Sequence, residues 1–353
     1  PGVRLGVAAA AAAPLLHLLD QPGFALELAR STGQGKTTAM RLAMALWGDP
    51  SRLMLGWDAT RVGIERIAEA CHDLPVWIDD TKRARSSDDV DHVLYDLASG
   101  VGRVRGAIMG AQPVARFRTV VLTTGEASVT AESRSGGIRG RVLSWQGVVC
   151  PSSAHALAID AAVAADHGHL GRALVEHLRR VGPAAVRERW AALRAWYAEH
   201  VPAGHPTGQR LAGYAASVAV AGELLGDTCG AARDVTWWLP ASTWGAMLDA
   251  TAEASRAVAG LDDMLSHVAA TAAWYTPSGH VPSGGWAGLI RDGRPVVLIS
   301  WARTWCERAG YSWAELLAGW RDRGWVGDKS TTVRIGDHVA RGWVILRSDE
   351  KDF

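Results

Sequence analysis

The sequence lacks several features that would each have pointed to a particular class of protein. Its four cysteines, at positions 71, 150, 229 and 306, form no C-x-x-C pair and have no histidines at metal-ligand spacing. A secreted disulfide framework is therefore disfavoured, and cysteines used as small core residues in a reducing cytoplasm are expected. The net charge is +1, from 37 Lys plus Arg against 36 Asp plus Glu. Such a chain is not a polycation, so any nucleic-acid contact must come from a local patch.

The residues from Pro1 onwards also predict neither a membrane span nor a leader sequence. The apolar run from Val7 to Leu19 contains Pro14 and His17 and is too short to span a bilayer comfortably, so we expect a buried alanine-rich helix there. Arg4 alone resembles the basic start of a signal peptide. The chain opens on Pro1 rather than Met, as expected of a domain cut from a longer protein. Its 353 residues predict two or three domains. From the cysteines and the short apolar run we also expect a cytoplasmic location and no membrane partner.

Up to about residue 150, short apolar runs alternate with helix-like stretches. This alternation predicts a mostly parallel sheet with helices on its faces. Residues 101–118 break it with glycines, a proline and arginines, which predicts a hairpin or an extended loop. The predicted strands are Phe24–Ala29, Leu53–Trp57, Pro75–Asp79, Thr119–Thr124 and Arg141–Trp145, and the predicted helices are Lys36–Trp47, Thr60–Cys71 and Asp88–Ser99.

The remaining chain is helical before it changes character. Residues 153–201, 207–225 and 242–274 have helical periodicity. The last eighty residues predict two short strands, two helices (Trp301–Ala309 and Ser312–Arg323) and two further strands (Thr331–Ile335 and Gly342–Arg347), an order typical of a winged helix. Such a module binds either duplex DNA or a protein partner. Its tryptophans more often form a core than base-stacking platforms. We predict a core domain at 1–150, a helical lid or linker at 151–275 and a winged-helix-like domain at 276–353.

A glycine-rich segment joins the first predicted strand to the following helix. Backbone N–H groups of such a turn, at a helix N-terminus, bind phosphates, while a lysine reaches the β- and γ-phosphates and the next hydroxyl ligates Mg²⁺. The consensus G-x-x-x-x-G-K-T has one departure, because Arg30 stands where it has glycine. The alternative is a chance Gly-Lys-Thr at an ordinary helix start. The residues predicted to hold ATP are Ser31, Thr32, Gly33, Gln34, Gly35, Lys36, Thr37 and Thr38.

A second motif, Leu74–Asp80, reads as a buried strand that ends in two carboxylates. Asp79 would hold Mg²⁺ with Thr37, and Asp80 would activate the attacking water. The pair could instead cap the following helix. Asp79 lies 43 positions after Lys36, which leaves room for a helix, a strand and a helix between them. That spacing favours the catalytic interpretation.

The strand that starts at Thr119 ends in Thr123, Thr124, Gly125 and Glu126. In ring-forming ATPases, the strand next to the one bearing the metal carboxylate carries a polar residue at its tip, which positions water or senses the γ-phosphate. Thr123 and Thr124 are the candidates. The alternative is a threonine pair favoured only by β propensity.

Arginine is concentrated between residues 103 and 141, where the local net charge is +5. Guanidinium groups bind phosphate in a bidentate manner. Arg139 and Arg141 are candidate arginine fingers that act on a neighbouring subunit's ATP. The alternative for any one of these arginines is a solvated surface position. The arginines predicted to line a hairpin along a nucleic-acid backbone are Arg103, Arg105, Arg116 and Arg118.

Several segments together resemble a known family. They are Gly33–Ala39, Trp57–Glu65, Leu74–Asp80, Leu94–Gly100 and Leu122–Glu126, and over roughly residues 1–150 they resemble the domain-of-unknown-function family 927 (DUF927). These are P-loop ATPases of phages, plasmids and integrated elements, of primase–helicase or superfamily-3 (AAA+-like) type. The resemblance implies an α/β P-loop NTPase core with Lys36, Thr37, Asp79 and Asp80 as ATPase residues. It also implies more chain before this core, such as a primase domain.

Three functions fit these observations. The first is an ATP-driven motor on single-stranded or forked DNA, a homo-oligomeric ring that uses ATP and Mg²⁺ in mobile-element replication. The second is a nucleotide-dependent switch that uses its winged helix as an adaptor and does not translocate. The third is a small-molecule kinase, which the long helical and winged-helix tail disfavours.

Overall fold

The computed structural model describes residues 1–102, 106–107, 110–111, 114–132, 136–205, 207–231, 235–276, 281–327 and 329–346. The chain forms two compact units, residues 1–252 and residues 253–353. The three-domain division drawn from the sequence stays a prediction.

A five-stranded sheet organises the first unit. It is built from β1 (Phe24–Ala29), β2 (Met54–Gly56), β3 (Val76–Asp79), β6 (Val120–Gly125) and β7 (Val142–Trp145). The strand order is β2-β3-β6-β1-β7, and every neighbouring pair is parallel. The predicted α/β architecture with a parallel sheet is therefore confirmed. Two further strands, β4 (Gly106–Ala107) and β5 (Gly110–Ala111), pair antiparallel inside the segment predicted to be a hairpin.

Helices cover both faces of this sheet. They are α1 (Gly2–Ala12), α2 (Leu15–Leu18), α3 (Lys36–Ala45), α4 (Pro50–Leu53), α5 (Arg61–Ala70), α6 (Ser87–Ser99), α7 (Val129–Glu132) and α8 (Gly136–Arg139). A helical region follows, with α9 (Ser153–Ala165), α10 (His169–Val181), α11 (Pro183–Glu199), α12 (Gly208–Thr228), α13 (Val235–Trp238) and α14 (Ala241–Ala270).

The two faces of the sheet carry separate cores because side chains alternate along each strand. Phe24, Leu26 and Leu28 of β1 belong to the core formed with α1, α3 and α12. Ala25 belongs to the opposite core, formed with α5 and α6. Successive residues of a strand therefore face different helices, α1, α3 and α12 on one side of the sheet and α5 and α6 on the other.

The alanine-rich helix α1 is buried, as predicted. Ala8 through Ala12 are fully inaccessible to solvent. The small side chains let α1 lie against α3 and α12 at close range, so the alanine-rich part of the helix is held by packing on several sides. None of the helices in the described residues is long and apolar enough to cross a membrane.

Helix boundaries follow capping chemistry that the sequence contains. Thr60 and Ser86 accept backbone N–H groups at the starts of α5 and α6, from Gly63 at 3.2 Å and Asp89 at 3.1 Å. Gly168 and Gly182, both at positive φ, separate α9, α10 and α11 within the helical stretch predicted from residue 153.

The second unit holds the elements predicted for a winged helix. It contains β8 (Gly288–Arg291), β9 (Arg294–Leu298), α15 (Ile299–Ala309), α16 (Trp313–Asp322), β10 (Thr331–Ile335) and β11 (His338–Val344). The four strands form an antiparallel sheet in the order β10-β11-β9-β8. β11 starts four residues before the predicted Gly342, because residues from His338 to Gly342 pair with β10. The winged-helix assignment itself stays a prediction.

Two expectations about side-chain burial were only partly right. Cys306 is buried, but Cys71 and Cys150 are half-buried and Cys229 is exposed. Among the tryptophans of the second unit, Trp320, Trp325 and Trp343 are buried, whereas Trp301, Trp305 and Trp313 are half-buried. Core packing thus accounts for only part of each set.

Candidate active site

The glycine-rich loop lies between β1 and α3. Gly33 and Gly35 have φ of 81° and 75°, a left-handed conformation that glycine adopts at little cost. A Cβ on Gly35 would meet the Cβ of Cys150 at 2.6 Å, whereas one on Gly33 would meet no atom within 4 Å. The loop therefore turns tightly at Gly35 against the protein and presents open backbone at Gly33.

Arg30 does not distort the start of this loop. Its φ is not positive, so the position does not need the glycine of the consensus. The guanidinium Nη1 donates to the carbonyl of Gln146 at 3.1 Å, and its backbone N–H donates to Gly125 at 3.0 Å. Arg30 thus joins the P-loop to the neighbouring strand ends.

Lys36 is folded back over the loop. Its Nζ donates to the carbonyl of Ser31 at 3.1 Å and also to that of Arg30. Burial lowers the pKa of Lys36, and the carboxylates of Glu126, Asp80 and Asp79 oppose that shift. The ammonium group is therefore within the field of three carboxylates and is held by carbonyls that a bound phosphate could replace.

Two oxygen ligands meet where α3 faces the end of β3. Thr37 Oγ1 lies 3.4 Å from Asp79 Oδ2. Among the described residues no group of three or more His, Cys, Asp or Glu side chains is placed to hold a metal. Mg²⁺ is usually bound by one or two carboxylates together with substrate phosphates and water, so a Thr–Asp pair beside a phosphate loop fits that ion.

Thr123 and Thr124 face opposite sides of the sheet. Thr124 Oγ1 donates to Asp79 Oδ1 at 2.7 Å and accepts the Asp80 N–H at 3.1 Å. Thr123 Oγ1 instead donates to the Ile78 carbonyl at 2.8 Å and accepts Trp57 Nε1 at 2.9 Å, in the core opposite α3. Only Thr124 is brought to the predicted metal carboxylate.

Paired substitutions separate these two roles. We expect Thr124→Val to lower ATP turnover by about tenfold or more, because a positioning hydrogen bond to Asp79 is lost. Thr123→Val should instead lower the free energy of unfolding by about 1–3 kcal/mol, because it leaves the buried Trp57 N–H unpaired. Steady-state turnover and urea unfolding of both variants measure this. Equal turnover losses in the two variants would contradict the assignment.

Asp80 adopts a left-handed backbone conformation, with φ of 60°. Its carboxylate accepts the Lys82 N–H at 3.3 Å and caps the short turn Thr81–Arg83. The capping alternative raised by the sequence therefore holds for Asp80. A non-glycine residue at positive φ is a form of strain often found at functional sites, and Asp80 Oδ2 remains available for other contacts.

Glu126 lies beside the glycine-rich loop, and the sequence analysis did not select it. Its carboxylate accepts from Thr32 of the P-loop and from Lys82 Nζ. Those hydrogen bonds, first from Lys82 and then from Thr32, hold the pKa of Glu126 below its usual value. Glu126 therefore connects the phosphate loop to the segment after β3, and its place at the end of Thr-Thr-Gly-Glu was the available signal.

A buried carboxylate fixes the segment that follows Glu126. Glu27, in the middle of β1, is fully inaccessible and accepts Ser128 Oγ at 2.8 Å, Ser144 Oγ at 2.6 Å and the Val129 N–H at 2.8 Å. A carboxylate can be buried when donors satisfy it in this way. The sequence analysis missed Glu27 because the apolar residues around it predict a strand but give no sign that its carboxylate has a structural role.

Other predicted loop residues make structural contacts. Gln34 accepts the Cys150 N–H on its carbonyl at 3.3 Å. Thr38 Oγ1 donates to Asp160 Oδ2 at 3.3 Å, beside the Arg41–Asp160 ion pair of 2.8 Å. The Thr38 hydroxyl thus points towards α9.

The two candidate arginine fingers, both in the described part of the chain, do not lie at the glycine-rich loop of their own subunit. Arg139 is buried and donates from Nε to the Thr130 carbonyl at 3.4 Å. Arg141 lies before β7, with its guanidinium 4.0 Å from the centre of the Tyr95 ring. Arg103 and Arg105 lie outside the described residues.

Arg116 and Arg118 lie at the amino edge of the sheet. Arg116 is exposed and pairs its backbone with Val101. Arg118 donates to the Leu16 carbonyl at 3.1 Å and lies 3.6 Å from Asp20. The P-loop follows the carboxyl end of β1, so these two arginines belong to the opposite edge.

Comparison with known proteins gives one family match. Residues 2–115 match the sequence model of the family described as "Domain of unknown function (DUF927)". The resemblance to DUF927 is confirmed. No curated protein matches the chain.

A solved structure shares the fold. It is described as "SCCmec type IV Cch - active helicase", with 19% sequence identity and a TM-score of 0.65. The alignment covers 98% of this chain and 66% of that one, so this chain spans a little less than two thirds of its length. At this identity the likeness concerns the fold.

Proposed function

We propose that this chain is an ATP-hydrolysing nucleic-acid motor, a helicase-type ATPase of a mobile element. One observation carries the proposal. At the carboxyl edge of the sheet, the turn at Gly33 and Gly35 meets a Thr37–Asp79–Thr124 chain of oxygen atoms, with contacts of 3.4 and 2.7 Å. Ligands bind at this edge in open parallel sheets.

Each residue would have a defined task. The N–H groups at the start of α3 and Lys36 Nζ would bind the phosphates of ATP. Thr37 and Asp79 would hold Mg²⁺, which supplies charge neutralisation at the phosphates. Thr124 would orient Asp79, and the Asp80 carboxylate would take a proton from the attacking water.

The motor as a whole rests on the family resemblance and the shared fold. A homo-oligomeric ring would place an arginine of one subunit near the nucleotide of the next. Arg139 is the weaker candidate for an arginine finger, because its side chain is buried in its own subunit. Single-stranded DNA would contact the 101–118 segment, and a primase or other domain would precede the core in the complete protein.

The test is ATP turnover measured with and without single-stranded DNA. We expect single-stranded DNA to raise ATP turnover by about tenfold, because a motor couples its ATPase cycle to the nucleic acid on which it moves. The Lys36→Ala protein, purified in the same way, serves as the control, because any turnover that it shows comes from contaminating ATPases. The wild-type protein is also examined by light scattering with and without nucleotide, since a ring should assemble or tighten when ATP is bound.

The alternative is a nucleotide-dependent switch with an adaptor module. Slow turnover that depends on Lys36 but ignores DNA would favour the switch over the motor. Transfer of phosphate to an acceptor without DNA would favour a kinase instead.

A further inference from the structure

A cavity of about 360 Å³ lies at the edge of the sheet opposite the P-loop. Pro22 precedes β1 and Arg141 precedes β7, so this is the amino edge of the parallel strands. The six residues of β1 span about 20 Å, which separates the cavity from the phosphate loop at the other end of that strand. A nucleotide held by Lys36 therefore does not reach it.

Among the described residues, three arginines and no carboxylate line this cavity. They are Arg141, Arg194 on α11 and Arg210 on α12, and with Gln21, Gln209 and Tyr214 they define what we name the arginine cavity. Neither Arg194 nor Arg210 forms an ion pair with any residue of the described chain. Three like charges around one space repel each other unless an anion is bound.

Two residues of the arginine cavity, Arg141 and Tyr214, are partly fixed in place. Arg141 donates from Nη1 to the Gly137 carbonyl at 2.7 Å and lies against Tyr95, while its other N–H groups remain available. The Tyr214 ring is buried and stacks on Phe24 with ring centres 4.8 Å apart. Burial raises the pKa of Tyr214, and the charges of Arg210 and Arg141 oppose this, so both guanidinium groups act at its hydroxyl.

A second basic cavity adjoins the first. It has a volume of about 480 Å³, contains Arg116 and Arg118, and shares Pro22 and Ser99 with the arginine cavity. Asp20 is the one carboxylate in its lining. Two adjoining basic cavities suit a ligand with repeated phosphates, because a single-stranded nucleic acid presents one phosphate per nucleotide.

We propose that the arginine cavity binds a backbone phosphate of a single-stranded nucleic acid at the amino edge of the sheet. Planar guanidinium groups and side-chain amides are the donors that bind phosphate oxygens. This inference rests on the proposed function, which supplies the expectation that the phosphate belongs to a single-stranded nucleic acid. It adds a contact made by residues from α11 and α12, outside the 101–118 segment and outside the residues matched to DUF927.

The test compares two double variants that lose the same charge. Arg194→Gln with Arg210→Gln changes the cavity, and Arg179→Gln with Arg180→Gln changes exposed positions on α10. Binding of a fluorescently labelled oligothymidylate is followed by anisotropy at several salt concentrations without ATP. We expect the cavity variant to raise the Kd about tenfold and to reduce the salt slope of log Kd by about 0.7 for each lost phosphate contact. The control should match the wild type.

Failure of the inference is distinguishable from failure of the motor. If the wild type binds the strand and the two double variants bind with equal Kd and salt slope, the cavity assignment is overturned and the motor stands. If the strand binds as expected but the wild type has no ATP turnover, the motor is overturned and the cavity stands. A wild type that does not bind the strand overturns the cavity assignment.

A free nucleotide is the other source of phosphate. Equilibrium dialysis of labelled ATP against Lys36→Ala protein detects any site away from the P-loop. ATP binding that persists there and disappears with Arg194→Gln and Arg210→Gln would assign the cavity to a nucleotide and overturn the strand assignment. Equal thermal midpoints of the variants exclude unfolding as the cause.

Discussion

Replacing Lys36 with alanine should lower ATP turnover by about a hundred- to a thousandfold. Lys36 Nζ already bonds the loop carbonyls of Arg30 and Ser31, and it lies in the field of Glu126, Asp80 and Asp79. In the proposed site this ammonium group would meet the charge that develops on the γ-phosphate. Without it, the acidic edge of the sheet would repel the phosphates. Phosphate release under steady-state conditions gives kcat and KM for ATP.

Arg41→Gln is the matched control for this change. Arg41 lies on the same helix and its replacement also removes one positive charge, but its guanidinium pairs with Asp160 of α9 at 2.8 Å and not with the loop carbonyls that Lys36 contacts. We expect less than a threefold change in turnover, since a half-exposed pair contributes about 1 kcal/mol or less. If both variants lose activity equally, charge on α3 matters rather than the lysine at the phosphates.

The second large effect is expected from Asp80→Asn. Loss of a general base lowers kcat by about a hundred- to ten-thousandfold, while binding of ATP should remain. Glu126 is the competing base, but both its oxygens accept hydrogen bonds and its pKa is held low, which makes it a weaker base. Asp80 Oδ2 has no such partner in the described chain.

The comparison variant is Glu126→Gln. We expect it to alter the KM for ATP more than kcat, because the bond from Glu126 to Thr32 of the P-loop weakens when the charge is lost. Binding of a fluorescent ATP analogue and single-turnover hydrolysis separate the two quantities. A kcat loss confined to Glu126→Gln would reverse the assignment of the base.

The strands of the core could be predicted because each is a short apolar run with turn residues around it. Phe24–Ala29 was predicted with the bounds that the structure shows, and β3 and β6 within one residue at each end. Lys36, Thr37 and Asp79 are brought together because parallel strands end at one edge, which the alternating pattern already implied. Local sequence was therefore sufficient to predict the strands and the residues at their carboxyl ends.

Sequence could not tell Thr123 from Thr124. Alternation along a strand means that only one of them faces α3, but which one depends on the register that pairs Ile78 with Thr123. The Glu126–Thr32 contact joins residues 94 positions apart, and the arginine cavity joins Arg141 to Arg194 and Arg210. Contacts of this range follow from the packing of whole elements, which no local pattern encodes.

The position of β1 in the sheet has a consequence for how the chain is made. Its partners are β6 and β7, which begin only at residues 120 and 142. At a ribosomal rate of about 5–20 residues per second, the apolar β1 waits on the order of ten seconds for a neighbour. Residues 2–115 contain β1 but neither partner. The stretch that matches the family model is therefore shorter than the stretch that must be synthesised before β1 gains its neighbours in the sheet.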